Sequence, residues 1–302
     1  MTADFTLLDG GMGRLLERLG APFRLPEWSA LSLIEAPDYV GKAHRAYVEA
    51  GADILTTNTY GLVPHMIGEP RFWRDARALA DRAGAIARGV ADEAGRGVRV
   101  AGSLPPLFES YRPQLFDPKE APQRLAELVA GLAPHVDLWL IETQSSTREA
   151  LTAFAATAGR GKPVFVSYTL RDDDGRSGPP ELRSGEAVAD AVATTLSGGV
   201  DAILFNCSQP EAMGEAVIAA RKVIDASGRR DVRLGVYANA FLPEPPSDAP
   251  YAGISTLRDD LDPEHYLAWI QRWLSDGADV VGGCCGIGPE HIAAIARFRT
   301  RA

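Results

Sequence analysis

The sequence predicts a (β/α)8 barrel, the TIM-barrel fold of the α/β class. Short apolar runs alternate with amphipathic helical patterns along the whole chain, and eight such β–α units fit within its 302 residues. No change in composition marks a boundary between domains. We therefore predict a single domain, one barrel spanning residues 1–302. A doubly wound open sheet is the alternative, because it shows the same alternation.

In the first half of the chain, four apolar runs predict strands that end in polar residues. These runs cover residues 5–9, 52–59, 98–103 and 136–143. Helical patterns follow over residues 34–50, 71–93, 122–133 and 146–158. The loop that ends at Pro118 is long and rich in aromatic residues, which is typical of a flap that faces a substrate.

The second half repeats the alternation. Its predicted strands cover residues 163–168, 202–205, 232–239 and 279–281. Its predicted helices cover residues 185–196, 211–225 and 263–276, and a last helix begins at Pro289. Polar loops are predicted at 172–180 and 241–262, the second rich in proline and aspartate.

Charge and hydropathy exclude several classes of function. The formal net charge is −9, from 31 basic and 40 acidic residues, and no basic block supports binding to nucleic acid or to an anionic membrane. No run approaches the roughly 18 consecutive apolar residues of a transmembrane helix. The N-terminus also lacks the basic start of a secretory signal. We therefore expect a cytoplasmic protein without nucleic-acid or membrane partners; the sequence makes no prediction of its oligomeric state.

All three cysteines of the chain follow predicted strands. Cys207 comes after the strand at 202–205, and Cys284 and Cys285 come after the last strand. Because the carboxyl ends of barrel strands meet at one rim, we expect the three thiols to form one site. Clustered thiols in a reducing compartment are typical of metal binding or catalysis. The alternative is that each cysteine is only a small buried hydrophobic residue.

The two adjacent cysteines place a condition on the backbone. Neighbours in a regular strand point to opposite faces, so Cys284 and Cys285 can reach one metal only where the chain leaves strand geometry. The glycines at 282, 283 and 286 supply the required conformational freedom.

Three cysteines without a fourth protein ligand predict an open, catalytic Zn²⁺ site. Three thiolates outweigh the charge of the metal, so such a site activates water poorly. A substrate thiol can take the open position instead, and the metal lowers the pKa of that thiol while leaving its sulfur nucleophilic. The predicted chemistry is alkyl transfer to a thiol.

Five segments resemble those of the homocysteine S-methyltransferase family. They are Leu-Asp-Gly-Gly-Met-Gly at 8–13, Gly-Ala-Asp-Ile-Leu-Thr-Thr-Asn-Thr-Tyr at 51–60, Ile-Glu-Thr at 141–143, Phe-Asn-Cys at 205–207 and Gly-Gly-Cys-Cys-Gly at 282–286. The paired cysteines with a distant Asn-Cys form a specific motif, and the resemblance covers nearly the whole chain. The family includes enzymes that depend on S-methylmethionine or betaine, and the homocysteine module of cobalamin-dependent methionine synthase.

The resemblance implies a zinc-dependent methyltransferase whose metal is bound by Cys207, Cys284 and Cys285. Its small-molecule partners would be the thiol of homocysteine and a methyl donor, and its product methionine. The same resemblance implies that Asp9 and Glu142 face the ammonium group of homocysteine. The alternative for these two carboxylates is a helix cap or a loop salt bridge.

Four further residues of the matching strand ends are candidates for substrate binding: Gly10, Gly11, Asn206 and Asn239. The alternative for the two asparagines is that they only satisfy loop backbone. Arg14 departs from the family pattern, which commonly has a small hydroxyl residue there. This arginine either recognises a carboxylate or is solvated on the first helix.

The resemblance also bears on the methyl donor. The betaine-dependent enzymes carry a C-terminal extension and the cobalamin-dependent route needs further domains, so we expect a sulfonium donor, S-methylmethionine or S-adenosylmethionine. The alternatives are a different thiol or betaine as substrate, a non-catalytic zinc-binding barrel, and a redox protein with a disulfide between Cys284 and Cys285.

Overall fold

Eight parallel strands form a closed barrel in the computed structural model, which describes residues 4–173, 178–242 and 255–301. The strands are β1 Thr6–Leu7, β2 Ile54–Thr56, β3 Arg99–Leu104, β4 Leu138–Gln144, β5 Val164–Tyr168, β6 Ala202–Asn206, β7 Arg233–Tyr237 and β8 Val280–Val281. Strands β2 to β7 each pair with the next strand in sequence, and β8 pairs with β1. A parallel bridge between Leu8 and Ile54 joins β1 to β2. The predicted (β/α)8 fold is confirmed.

Helices surround the barrel. The described helices are α1 Met12–Arg18, α2 Ser29–Glu35, α3 Pro37–Ala50, α4 Pro64–Ile67, α5 Glu69–Glu93, α6 Ala121–Leu132, α7 Thr147–Ala156, α8 Val188–Ser197, α9 Pro210–Ser227, α10 Pro263–Ser275 and α11 Pro289–Arg301. Of these helices, none combines the length and hydrophobicity that a membrane-spanning segment needs. Residues 174–177 and 243–254, within the two predicted polar loops, lie outside the described residues.

The helix predicted over residues 34–50 was wrong at its start, because two helices occupy this region. Helix α2 ends at Glu35 and α3 begins at Pro37. Between them Ala36 is not helical, with φ −147° and ψ 62°. A residue before proline avoids the α conformation, and proline has no N–H with which to continue a preceding helix. The sequence feature that marks this boundary is therefore Pro37 itself.

Two apolar layers hold the barrel together. Side chains alternate across each strand, so one set fills the interior and the other packs against the helices. The interior set consists of Leu8, Ile54, Ala101, Leu138, Leu140, Phe165, Ala202, Leu204, Tyr237 and Val280. Because both faces of the strands are buried, polar side chains gather where the strands end, at the rim that carries the cysteines.

Candidate metal centre and substrate-binding site

The structure brings the three cysteines together. Cys207 directly follows β6, Cys284 and Cys285 follow β8, and the three Sγ atoms all lie within 4.8 Å of one another. Cys207 and Cys284 form a disulfide, with their Cα atoms 5.8 Å apart, whereas Cys285 is a free thiol. The pair differs from the Cys284–Cys285 pair considered from the sequence. These residues therefore have two forms open to them, a disulfide and a reduced three-thiol cluster.

The backbone around the cysteines leaves strand geometry, as predicted. Cys207 has φ 48°, in the left-handed region that non-glycine residues rarely adopt. Gly286 has φ 84° and completes a turn in which the Ile287 amide donates to the Cys284 carbonyl at 3.1 Å. Gly282 is needed for a different reason, since a Cβ there would lie 2.6 Å from the Leu8 Cβ. These backbone features allow the side chains of the sequential residues Cys284 and Cys285 to lie in the same cluster.

The reduced cluster fits a thiolate-binding metal. In the described part of the chain, the group of side chains that could hold an ion consists of these three cysteines alone. Soft thiolate ligands suit zinc, and three of them leave one coordination position for a substrate. His291, the nearest histidine in sequence, binds backbone with both ring nitrogens, Nδ1 to the Gly288 amide and Nε2 to the Leu261 carbonyl. Both ring nitrogens of this histidine are therefore used in backbone contacts, and neither is free to bind a metal.

The free Cys285 thiol is electrostatically disfavoured as a thiolate. Burial and the nearby Glu142 carboxylate raise its pKa to about 11, and the positive charge of Arg14 lowers it. Without a metal, this thiol is therefore protonated at neutral pH. A cation bound between the sulfurs would reverse the balance.

Asp9 lies at the end of β1 and is buried. Its carboxylate accepts hydrogen bonds from the Thr56 amide at 2.7 Å and from the Thr56 hydroxyl at 2.8 Å. Burial, with a smaller effect from the Glu142 charge, raises the pKa of Asp9 to about 7 despite these hydrogen bonds.

Glu142 lies on β4 and is buried on the same rim. Its carboxylate accepts a hydrogen bond from the Ser103 hydroxyl. Burial raises the pKa of Glu142 to about 7, against the lowering effect of the Ser103 hydrogen bond. Neither acidic residue forms an ion pair with a described cation, and a positive charge placed beside them would favour the ionised form of both carboxyl groups. Their role in substrate binding stays a prediction.

Gly10 and Gly11 lie where backbone packs on backbone. A Cβ on Gly10 would collide with the Ile287 carbonyl, and one on Gly11 would lie 2.6 Å from the Cys284 carbonyl oxygen. The Gly11 amide donates to the Ile287 carbonyl at 2.9 Å. The glycines thus allow the start of α1 to lie against the cysteine turn, and their role in substrate binding stays a prediction.

Both candidate asparagines lie on the rim and hydrogen-bond to the protein. Asn206 Oδ1 accepts from the Thr143 amide at 3.0 Å and Asn206 Nδ2 donates to the Thr143 hydroxyl at 2.9 Å. Asn239 Oδ1 accepts from the Phe241 amide at 3.3 Å. These contacts agree with the alternative that both asparagines satisfy loop backbone, and a role in contacting substrate stays a prediction.

Sequence reasoning missed the residues that hold the two carboxylates. Thr56 at the end of β2 binds Asp9, and Ser103 near the end of β3 binds Glu142. One feature of the sequence could have identified them. Each is a hydroxyl residue near the end of a strand that neighbours the strand of the corresponding acidic residue. Which hydroxyl pairs with which acid depends on the register between strands, which the sequence does not encode locally.

Fold and site together define a class of protein. A (β/α)8 barrel with a thiol cluster and two buried carboxyl groups at the carboxyl ends of its strands has the arrangement of a barrel enzyme that binds a small molecule at this rim. A sequence model of the homocysteine S-methyltransferase family matches residues 6–298. The chain belongs to this family, which confirms the resemblance and the expectation that it is an enzyme.

Individual relatives agree with this assignment. Homocysteine S-methyltransferase 4 of Zea mays is 27% identical over 321 aligned positions, covering 96% of this chain and 88% of the maize protein. The crystal structure of the homocysteine methyltransferase MmuM from Escherichia coli in its metallated form superposes with a TM-score of 0.75 at 24% identity, covering 99% of this chain and 96% of MmuM. The oxidized form of MmuM gives the same TM-score, identity and coverage. The structural likeness establishes the fold; the domain limits 1–302 stay a prediction.

Proposed function

We propose that this protein transfers a methyl group from a sulfonium donor, S-methylmethionine or S-adenosylmethionine, to the thiol of homocysteine, giving methionine, with Zn²⁺ as its cofactor. One observation carries the proposal: three cysteine sulfurs lie within 4.8 Å of one another on the rim that also holds two buried carboxyl groups. This arrangement matches the two ends of homocysteine, a thiol and an ammonium group.

Cys207, Cys284 and Cys285 would hold the zinc in their reduced state. Bound there, zinc supplies the positive charge that lowers the pKa of an acceptor thiol, so that the acceptor reacts as a thiolate at neutral pH. The chain contributes the position of the three sulfurs, fixed by the left-handed backbone at Cys207 and Gly286.

Asp9 and Glu142 would bind the ammonium group of homocysteine. Their pKa values near 7 mean that an approaching cation easily favours the ionised forms. The bonds from Thr56 and Ser103 fix the two carboxylates in place. Holding the amino end of the acceptor at these residues directs its sulfur toward the cysteines.

The reaction itself is a displacement at the methyl carbon. The acceptor sulfur forms a bond to this carbon while the bond from carbon to the sulfonium sulfur breaks, and both products are uncharged thioethers at sulfur. Opposite charges cancel along the reaction, so the protein mainly aligns the two sulfurs and excludes water. No proton transfer at the methyl carbon is required.

The test is methyl transfer by the reduced, zinc-loaded protein. Homocysteine is incubated separately with methyl-labelled S-methylmethionine, S-adenosylmethionine and betaine, and labelled methionine is measured by mass spectrometry. Label from a sulfonium donor supports the proposal and identifies the donor. Label from betaine alone would contradict the sulfonium donor, and no label from any donor would contradict the proposed reaction, through its acceptor or its donor.

A further inference from the structure

Arg14 lies beside the cysteine turn. It belongs to the first turn of α1, three residues after Gly11. Gly11 packs against the cysteine turn so closely that a Cβ on it would lie 3.0 Å from the Cys285 Cα. The Ala240 amide donates to the Cys285 carbonyl at 2.8 Å, and the next residue, Phe241, faces the Arg14 guanidinium. Its guanidinium is therefore a cation on the rim of the proposed active site.

The Arg14 side chain is largely enclosed, with 20% of its surface exposed. One Nη donates to the backbone carbonyl of Ser255, and the guanidinium carbon lies 6.0 Å from the centre of the Phe241 ring. Nε is buried and has no hydrogen-bond partner among the described residues. A solvated arginine on the first helix, the alternative considered from the sequence, does not fit these contacts.

The carboxylate that pairs with Arg14 is weakly held. Nη1 donates to Glu17 at 2.8 Å, and the Glu17 side chain is 42% exposed. Exposed pairs at this helical spacing contribute little, and Glu17 can move into solvent at small cost. An enclosed guanidinium with an unpaired N–H and a replaceable partner is suited to a carboxylate from a ligand.

The charges of the site lead to the same ligand. Homocysteine, S-methylmethionine and the methionine moiety of S-adenosylmethionine each carry an ammonium and a carboxylate. Asp9 and Glu142 can bind only the ammonium group. A carboxylate near the acidic groups and the sulfurs needs a compensating cation, and guanidinium binds carboxylates through paired N–H groups.

We propose that Arg14 recognises the α-carboxylate of an amino-acid ligand at this site and thereby determines specificity. The inference rests on the proposed function, which supplies the two candidate sources, the donor and the acceptor. The incoming carboxylate replaces Glu17 on the guanidinium, and the contact with Ser255 keeps the guanidinium at the rim.

The experiment compares ligands with and without the carboxylate. The donor arm uses S-methylmethionine and its carboxamide, with homocysteine as the acceptor. The acceptor arm uses homocysteine and 3-aminopropane-1-thiol, which lacks only the carboxylate. The reduced, zinc-loaded full chain is assayed as wild type, Arg14→Gln, Arg14→Lys and Arg18→Gln. Arg18 is the matched control, because it lies on the same helix and pairs with exposed Glu290.

We expect Arg14→Gln to lower kcat/KM about 10- to 100-fold for the carboxylate-bearing ligand of one arm, mainly through KM, and to leave its carboxylate-free analogue unchanged. The arm that responds identifies donor or acceptor as the source. Arg14→Lys should lower kcat/KM for that ligand less than Arg14→Gln does. Arg18→Gln should have the same kcat/KM as wild type in both arms. Glu17→Gln should lower KM for the same ligand, because the competing carboxylate is gone.

Equal losses with and without the carboxylate, or no loss in either arm, would overturn the inference. A wild-type protein that transfers no methyl group would instead contradict the proposed function. In that case calorimetric titration with homocysteine and with 3-aminopropane-1-thiol still tests Arg14. Tighter binding of homocysteine that disappears in Arg14→Gln would support the inference, and the absence of such a difference would overturn it.

Discussion

The Asn206 side chain holds Thr143 through two hydrogen bonds, one to the Thr143 amide at 3.0 Å and one to its hydroxyl at 2.9 Å. Thr143 has φ 61°, a left-handed conformation that costs free energy in a β-branched residue. The two residues adjoin Glu142 and Cys207 in sequence, so the bridge connects the carboxylate side of the site to the sulfur side.

Replacing Asn206 with alanine should destabilise the fold by about 1–3 kcal/mol, because it leaves the buried Thr143 amide without its acceptor. Urea unfolding measures the loss. Ser167→Ala is the control: it removes the 2.7 Å bond from Ser167 to the same Oδ1 and leaves the Thr143 contacts in place. We expect Ser167→Ala to lower the free energy of unfolding less than Asn206→Ala does, because the hydrogen bonds to Thr143 remain. Equal losses in the two variants would contradict a special role for the Asn206–Thr143 contact.

Binding of an ammonium ligand should strengthen as pH rises toward neutrality. Asp9 and Glu142 have pKa values of about 7 in the folded protein, raised by burial, and only their ionised forms attract a cation. Homoserine is the suitable probe, because it has the ammonium group without a titrating thiol. Calorimetry at pH 6, 7 and 8 should show affinity rising below pH 7, by up to about tenfold per pH unit for each carboxylate that binds the ammonium group, and then levelling. Asp9→Asn should weaken binding and flatten this profile, and an unchanged profile would contradict the ammonium role.

The carboxyl groups of Asp9 and Glu142 should also make the stability of the ligand-free fold depend on pH, and this stability should fall as pH rises. A carboxyl group whose pKa is raised on folding stabilises the fold most below its unfolded pKa, and this stabilisation is lost as pH rises through the folded value. The ligand-free protein should therefore lose stability from these groups between about pH 4 and pH 7. In urea unfolding, the free energy of unfolding of Asp9→Asn should fall less over this pH range than that of wild type. A fall as large as in wild type would contradict the effect of burial on Asp9.

Zinc uptake should require reduction. Cys207 and Cys284 form a disulfide in the structure, and a disulfide sulfur is not a thiolate ligand. Oxidised protein should bind little zinc, and reductant should bring the content to about one zinc per chain, measured by atomic emission after dialysis. Cys285→Ala should lose zinc and activity together even when reduced. Full zinc content in this variant would remove Cys285 from the proposed metal site.

Protonation of His44 should destabilise the fold in mild acid. It is fully buried on α3, and neither ring nitrogen has a hydrogen-bond partner among the described residues. Burial lowers its pKa to about 4, so the neutral ring stabilises the fold and this contribution is lost as pH falls from about 6.5 toward 4. At pH 5 the loss is about 2 kcal/mol relative to pH 7.5.

The leucine variant at this position should be less acid-sensitive. Unfolding midpoints of wild type, His44→Leu and His265→Gln are compared at pH 5 and pH 7.5. His265 is the control, because its side chain is 70% exposed. An acid response of His44→Leu equal to that of wild type would contradict the buried, unpaired state of His44.

Much of the fold could be predicted from the sequence because each β–α unit carries its own signal. Apart from the boundary at Pro37, the predicted helices begin and end within three residues of the observed ones. The cysteines could be assigned to one rim because all three follow strands. That inference needs only strand direction, which the alternation of strands and helices already fixes.

The details of the site depend on contacts between distant parts of the chain. The bond from Arg14 to Ser255 joins residues 241 positions apart, and no local pattern predicts it. The Cys207–Cys284 pair joins residues 77 positions apart, and Cys207 lies in a left-handed backbone conformation that no local pattern predicts. Sequence motifs can therefore name such residues, but the register and twist of the barrel decide which of them meet.

In the proposed reaction, zinc held by the three cysteines makes the acceptor thiol reactive. To test this role, zinc is removed from reduced wild-type protein with a chelator, and labelled methionine from homocysteine and the active sulfonium donor is measured as zinc is returned. We expect turnover to disappear with the metal and to return in proportion to the zinc bound, up to about one zinc per chain. Full turnover by the zinc-free protein would contradict it.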